Sequence, residues 1–96
     1  HASLMCDASR GFTADHAIRL GRRLEEFDLT WFEEPVPPYD HRGSARVAAA
    51  LDVPIASGET EATRYGFREM LAHGAADIWM ADLARVGGVS EFVKVA

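Results

Sequence analysis

The chain has 96 residues, 48% of them hydrophobic, and its 15 acidic against 10 basic side chains leave a net charge of −5. That balance argues against a nucleic-acid or anionic-membrane surface, and no apolar run approaches the ~20 residues needed to cross a bilayer. A single cysteine, Cys6, excludes an internal disulfide, and no signal peptide is recognisable at the start.

In chain order, the first element is a short apolar strand, Leu4-Met5-Cys6, closed by Asp7. Thr13 then caps a helix running to about Glu26, whose Ala17, Leu20, Leu24 and Phe27 recur at three- and four-residue steps and form the stripe facing the sheet. A second strand, Trp31-Phe32-Glu33, is ended by Pro35, Pro37 and Pro38, which hold the following loop extended until Asp40 caps a helix carrying Val47, Ala48 and Leu51. The third strand starts after Pro54 and ends near Glu59. A helix from about Thr63 to His73 follows, with Phe67, Met70 and Leu71 inward and Gly74 as its left-handed stop. Asp77 opens the fourth strand, and Gly87-Gly88, with Ser90 as cap, leads into a last helix. Glu91 to Ala96 begins an apolar face without a stop signal, and the chain opens without methionine. Both features suggest part of a larger protein, and a non-catalytic truncated fragment is one reading of it.

Four acidic residues close the four apolar runs: Asp7, Glu33, Glu59 and Asp82, at steps of 26, 26 and 23 residues. Such a step is about one strand plus its return helix, so the pattern is an α/β fold of consecutive βα units with parallel strands. Consecutive order without a reversal favours an arc of a TIM barrel, about half of one, over a doubly wound sheet. Side chains two apart on a strand share a face. By that parity Met5 goes with Asp7, Trp31 with Glu33, Ile55 and Ser57 with Glu59, and Ile78 and Met80 with Asp82. Leu4, Cys6, Phe32, Ala56 and Trp79 then turn outward under the helices, with Cys6 a buried structural thiol. An acidic residue after a strand is often only a turn former, but four in phase at strand ends, where barrel enzymes keep their active sites, outline a metal site.

A hard divalent cation prefers oxygen, and Asp7, Glu33 and Glu59 supply three carboxylates. With no cysteine pair and no His-x-x-x-His spacing, ligand type favours Mg²⁺ over zinc or iron. Asp82 departs from the set in its shorter step and in the Gly-Gly that follows.

The strings Glu33-Glu34-Pro35, Pro54-Ile55-Ala56-Ser57-Gly58-Glu59, Asp77-Ile78, and Asp82 five residues before Gly87-Gly88-Val89-Ser90 resemble the enolase superfamily, in its mandelate racemase subgroup, over the whole chain. That superfamily is itself an established case of a Lys or His base acting with Mg²⁺ on an ene-diolate. The resemblance implies that residues 1–96 are part of a C-terminal modified-barrel domain, about strands three to six, without the remaining strands or the capping domain. It implies Asp7, Glu33 and Glu59 as Mg²⁺ ligands and Asp82 as partner of a histidine on the seventh strand, which lies outside these residues and moves the proton alpha to a substrate carboxylate.

The run Gly58 to Phe67 most resembles acid-sugar dehydratases, including the rhamnonate dehydratase group, so the expected reaction is dehydration of a sugar acid through an enolate. The alternative is racemisation or epimerisation of a 2-hydroxy acid. Ser9 and Thr60 stand where relatives often carry Asn and His, and both would face the substrate. Arg10 and Arg85 read as exposed solvated arginines, Arg64 as an anchor at a helix start, and Glu34 as a carboxylate with a structural partner. His16, His41 and His73 lie away from strand ends and are not expected to be the base. The expected parent is a cytoplasmic homo-oligomer acting on a small molecule.

Overall fold

A computed structural model describes residues 2–96. In chain order it contains β1 (Cys6–Asp7), α1 (Ala14–Leu24), a 3-10 turn (Glu25–Phe27), β2 (Phe32–Glu33), α2 (His41–Ala50), β3 (Ile55–Ser57), α3 (Thr63–His73), β4 (Ile78–Trp79) and α4 (Val89–Val95). The four strands form one sheet in the order β1-β2-β3-β4, and every neighbouring pair is parallel. Sequential parallel strands with a helix between each pair put all strand C-termini on one edge and all helices on one side, the geometry of a barrel arc.

The caps follow the sequence closely. Thr13 accepts the His16 N–H and Asp40 accepts the Gly43 N–H at 2.8 Å, each satisfying a donor that a helix start leaves free. Gly74 ends α3 in the left-handed region, with its N–H donating to Leu71 and Met70. The last cap differs from expectation. Gly88, not Ser90, stands before α4, and no side chain caps it, because Gly87 and Gly88 at φ +108° and +91° bring the chain in two residues earlier and leave Ser90 inside the helix.

The main core lies between the sheet and α1/α2, where Ala14, Ala17, Val47, Leu51 and Val53 enclose Phe32 and Ile55, both fully buried. Burying Phe32 and Ile55 removes apolar surface worth roughly 1.5–3 kcal/mol for each side chain. A hydroxyl ties the second and third units together across this layer: Ser44 Oγ on α2 donates to the Ala75 carbonyl at 2.6 Å. Phe67 and Met70 of α3 are buried as expected, and the Phe67 ring meets Trp79 edge to face.

Three expected core positions, Phe27, Leu71 and Leu4, fall outside it, and Cys6 lies at its margin. Phe27 is 56% exposed because α1 tightens into the 3-10 turn at Glu25, and the change from 3.6 to 3 residues per turn rotates the stripe off the sheet. Leu71 is 66% exposed, at the margin of a groove with Trp79 and Val95. Leu4 is exposed and Cys6 is half-buried, because β1 is an edge strand and has a neighbour on one side.

Register corrects the parity of one strand. Phe32 lies beside Ile55 and Glu33 beside Ala56, so Ile55 and Ser57 belong to the helix face and Ala56 to the carboxylate face, the reverse of the expectation. The other strands keep their expected faces: Asp7 beside Glu33, Ile78 beside Ala56, and Trp79 beside Ser57. Gly58, at φ +122°, breaks the alternation between Ser57 and Glu59, so parity does not carry across it.

Candidate functional site

Asp7 and Glu33 are the last residues of adjacent parallel strands and stand side by side in register, where strands are about 4.8 Å apart. Glu59 follows β3 by two residues, through the Gly58 kink, and Asp82 follows β4 by three. All four carboxylates therefore leave the same edge of the sheet.

Three of the four, Asp7, Glu33 and Asp82, are held by a local donor. Asp7 Oδ1 accepts the Ser9 N–H at 2.7 Å, closing a tight turn in which Ser9 and Arg10 take φ +46° and +65°. Glu33 Oε2 accepts the Trp31 indole N–H at 3.1 Å, a pairing made possible because residues two apart share a strand face. Asp82 Oδ1 accepts the N–H groups of Ala84 and Arg85, at 2.7 and 3.2 Å, and so shapes the turn before Gly87.

Arg85 is not the free solvated arginine that its sequence context suggests. Its Nη1 lies 3.9 Å from Glu59 Oε1 and its Nε lies 3.8 Å from Asp82 Oδ2, so one cation spans the third and fourth carboxylates. With Arg85 about half exposed, such pairs stabilise the fold little and mainly set local charge. Arg10 also has a partner: its Nε lies 3.3 Å from Oε2 of buried Glu34, and this is the structural partner expected for that carboxylate. Arg85 and Asp82 are three residues apart, but the pairings of Arg85 with Glu59 and of Arg10 with Glu34 are not encoded by local sequence spacing.

Thr60 Oγ1 is buried and has no hydrogen-bond partner among the described residues. A buried hydroxyl without a partner is uncommon, and this one adjoins Glu59 on the strand-end loop. His41 pairs with Glu61 at 3.7 Å and packs edge-on to His73, and His16 lies on α1, so none of the three joins the carboxylates. Arg64 anchors the start of α3 as expected: its guanidinium and its backbone N–H both meet the carboxylate of Glu91 on α4.

Among the described residues, no three His, Cys, Asp or Glu side chains converge into a closed ligand set. The donor chemistry nevertheless fits a hard dication: Asp7, Glu33 and Glu59 present only oxygen, carry three negative charges, and sit on one sheet edge. Thiol and imidazole donors, which select softer metals, are absent from this set.

The profile of the enolase C-terminal domain-like family matches residues 1–96. The chain is 44% identical over 92 residues to L-talarate/galactarate dehydratase of Salmonella typhimurium, covering 96% of this chain and 23% of that protein. It is 47% identical over 93 residues to D-galactarolactone cycloisomerase of Agrobacterium fabrum, covering 97% and 25%. Among solved structures, L-talarate dehydratase from Polaromonas sp. JS666, complexed with Mg and L-glucarate, superposes with a TM-score of 0.93 at 41% identity, covering 97% of this chain and 26% of that one. The chain thus spans about a quarter of the length of the curated relatives it matches.

Proposed function

Since the chain belongs to the enolase C-terminal domain-like family, we propose that the protein containing it is a Mg²⁺-dependent lyase that removes the proton alpha to the carboxylate of a sugar acid and eliminates water. The observation that carries this reading is the placement of Asp7 and Glu33 side by side at the C-terminal ends of adjacent parallel strands, with Glu59 leaving the same edge through Gly58. The chain's likeness to dehydratases, one of them solved with Mg and L-glucarate, supports it.

In this reading Asp7, Glu33 and Glu59 hold the cation, whose charge, when bound, offsets the negative charge that develops on the substrate carboxylate as the alpha proton leaves. Asp82 serves a base outside these residues. Its Oδ1 is committed to the turn at Ala84 and Arg85, which leaves Oδ2 to accept an imidazole N–H and hold that ring in one tautomer. Arg85 steadies both Asp82 and Glu59 from one side. In the same reading the Ser9 side chain and Thr60 Oγ1, two residues and one residue from a ligand carboxylate, meet substrate hydroxyls; that Thr60 Oγ1 has no partner among the described residues supports this.

The test is calorimetric titration of Mg²⁺ into the full-length protein and its Asp7→Ala, Glu33→Ala and Glu59→Ala variants, followed by incubation of the wild type with a panel of aldonates and aldarates. Binding lost in each variant, and a product lighter by one water, are the expected results. Binding unchanged in all three would make the carboxylates turn formers and end the enzymatic reading.

A second reading, isomerisation without loss of water, is favoured by the likeness to a cycloisomerase. It shares the cation and the first proton transfer but loses no atoms, so a product of the same mass as the substrate would select it.

A further inference from the structure

Glu34 is a second acidic residue beside Glu33, and the proposed chemistry does not use it. It is 4% exposed and takes φ +38°, a backbone conformation that non-glycine residues seldom adopt. Burying a carboxylate is expensive unless it is paired, and an apolar residue of similar volume would fill the same space without that penalty.

Three strand-end loops meet on this residue. From the loop after β1, Arg10 donates its N–H to the Glu34 carbonyl at 2.7 Å and brings its Nε to 3.3 Å from Oε2. From the loop after β3, Gly58 donates its N–H to Oε1 at 3.4 Å, and the Glu34 N–H donates to the Ala56 carbonyl at 2.9 Å. Arg10 and Glu34 take positive φ, which is strained for a residue with a side chain, and Gly58 takes one that glycine adopts freely, so each loop leaves its strand through a left-handed turn that is secured at Glu34. Backbone strain of this kind persists where surrounding structure over-determines it, and it clusters at functional sites. Asp7 and Glu33 end the strands from which two of these loops leave, and Glu59 lies on the third.

We infer that Glu34, clamped by Arg10, is a positioning residue that fixes the three strand-end loops so that Asp7, Glu33 and Glu59 are set toward a common divalent cation. The inference rests on the metal reading above and assigns Glu34 no contact with the cation or substrate. Partners behind metal ligands typically change affinity by about 10- to 100-fold when removed.

The test is Mg²⁺ affinity by calorimetry, measured beside the thermal midpoint of the metal-free protein, for full-length Glu34→Gln, Arg10→Gln, their double variant and Val47→Ala. Each single change at the pair is expected to raise the dissociation constant about 10- to 100-fold, and the double variant to bind no more weakly than the weaker single, because the two side chains act as one unit. Val47→Ala, in the core on the far side of the sheet, is expected to lower the midpoint and leave affinity alone. Should Glu34→Gln not fold, Arg10→Gln, at a half-buried position, carries the test. Unchanged affinity with a lowered midpoint in the pair variants would reduce Glu34 to a structural ion pair. Additive losses in the double variant would also overturn the clamp. Absence of Mg²⁺ binding by the wild type would remove the clamp and the metal reading together, whereas wild-type binding with unaffected variants would remove the clamp alone.

Discussion

A Cβ on Gly58 would lie 2.7 Å from Phe67 Cε1, and the backbone there, at φ +122°, is one that side chains rarely adopt. Gly58→Ala therefore combines overpacking, which costs about 1–3 kcal/mol, with backbone strain of similar size. Gly74 isolates the backbone part: it also has positive φ, at +64°, but a Cβ there meets nothing within 4 Å. Denaturant unfolding should show Gly58→Ala losing clearly more stability than Gly74→Ala, and equal losses would mean that the Phe67 ring moves aside freely. The same residue explains the misassigned face of β3. Alternation predicts faces while the strand is regular, and Pro54-Ile55-Ala56-Ser57-Gly58-Glu59 reads as one run unless Gly58 is seen as a break. Asp7, Glu33 and Asp82, with no such break before the carboxylate, were legible by position. Their local donors were less so, since Trp31 shares a face with Glu33 by spacing, whereas the spread of Arg85 across Glu59 and Asp82 depends on how two loops fold toward each other.

Between elements, single carboxylates do work that no strand or helix signal announces. Glu91 on α4 accepts the backbone N–H of Arg64 at 3.2 Å, meets that residue's guanidinium, and lies 3.0 Å from Lys94 Nζ. The hydrogen bond from Lys94 first, then that from the Arg64 backbone, hold the Glu91 carboxyl below its ordinary value of 4.5. Glu25, where α1 passes into its 3-10 turn, is lowered chiefly by the Asp52 N–H, which donates to Oε1 at 2.8 Å and so ties the end of α1 to the chain before β3. A carboxyl lowered on folding contributes stability that is present above its unfolded value and lost as pH falls through the folded one. Glu91→Gln and Glu25→Gln should thus lower the thermal midpoint at neutral pH and converge with the wild type toward the acid end. A gap that persisted unchanged into acid would show that the lost contribution is packing, not charge. The starts of α1 and α2 were readable because Thr13 and Asp40 are local caps. Where α1 would tighten was not, since nothing in the Leu24 to Phe27 spacing marks the change of helix type.

At the scale of the whole molecule, consecutive strand order was legible because four apolar runs, each followed by one helical stripe, allow few parallel arrangements. That order leaves β1 and β4 as the two edges of the sheet among the described residues, each with backbone groups that have a partner strand on one side. Leu4 and Met5 are exposed at one edge, and Val89 and Val93 on α4 are exposed near the other. Unpaired edges next to apolar side chains favour association with another chain, while a net charge of −5 opposes it by repulsion. These terms respond differently to salt, which screens the repulsion over about 10 Å at 0.1 M and leaves the apolar contribution in place. The 96-residue chain prepared by itself should therefore self-associate in sedimentation experiments, more strongly as protein and salt concentration rise. Met5→Lys, which puts a charge on the β1 edge, should weaken that association. A monomer that persists across the whole range would show that two-residue strands are too short to template pairing, and that the sheet of this fold tolerates open edges.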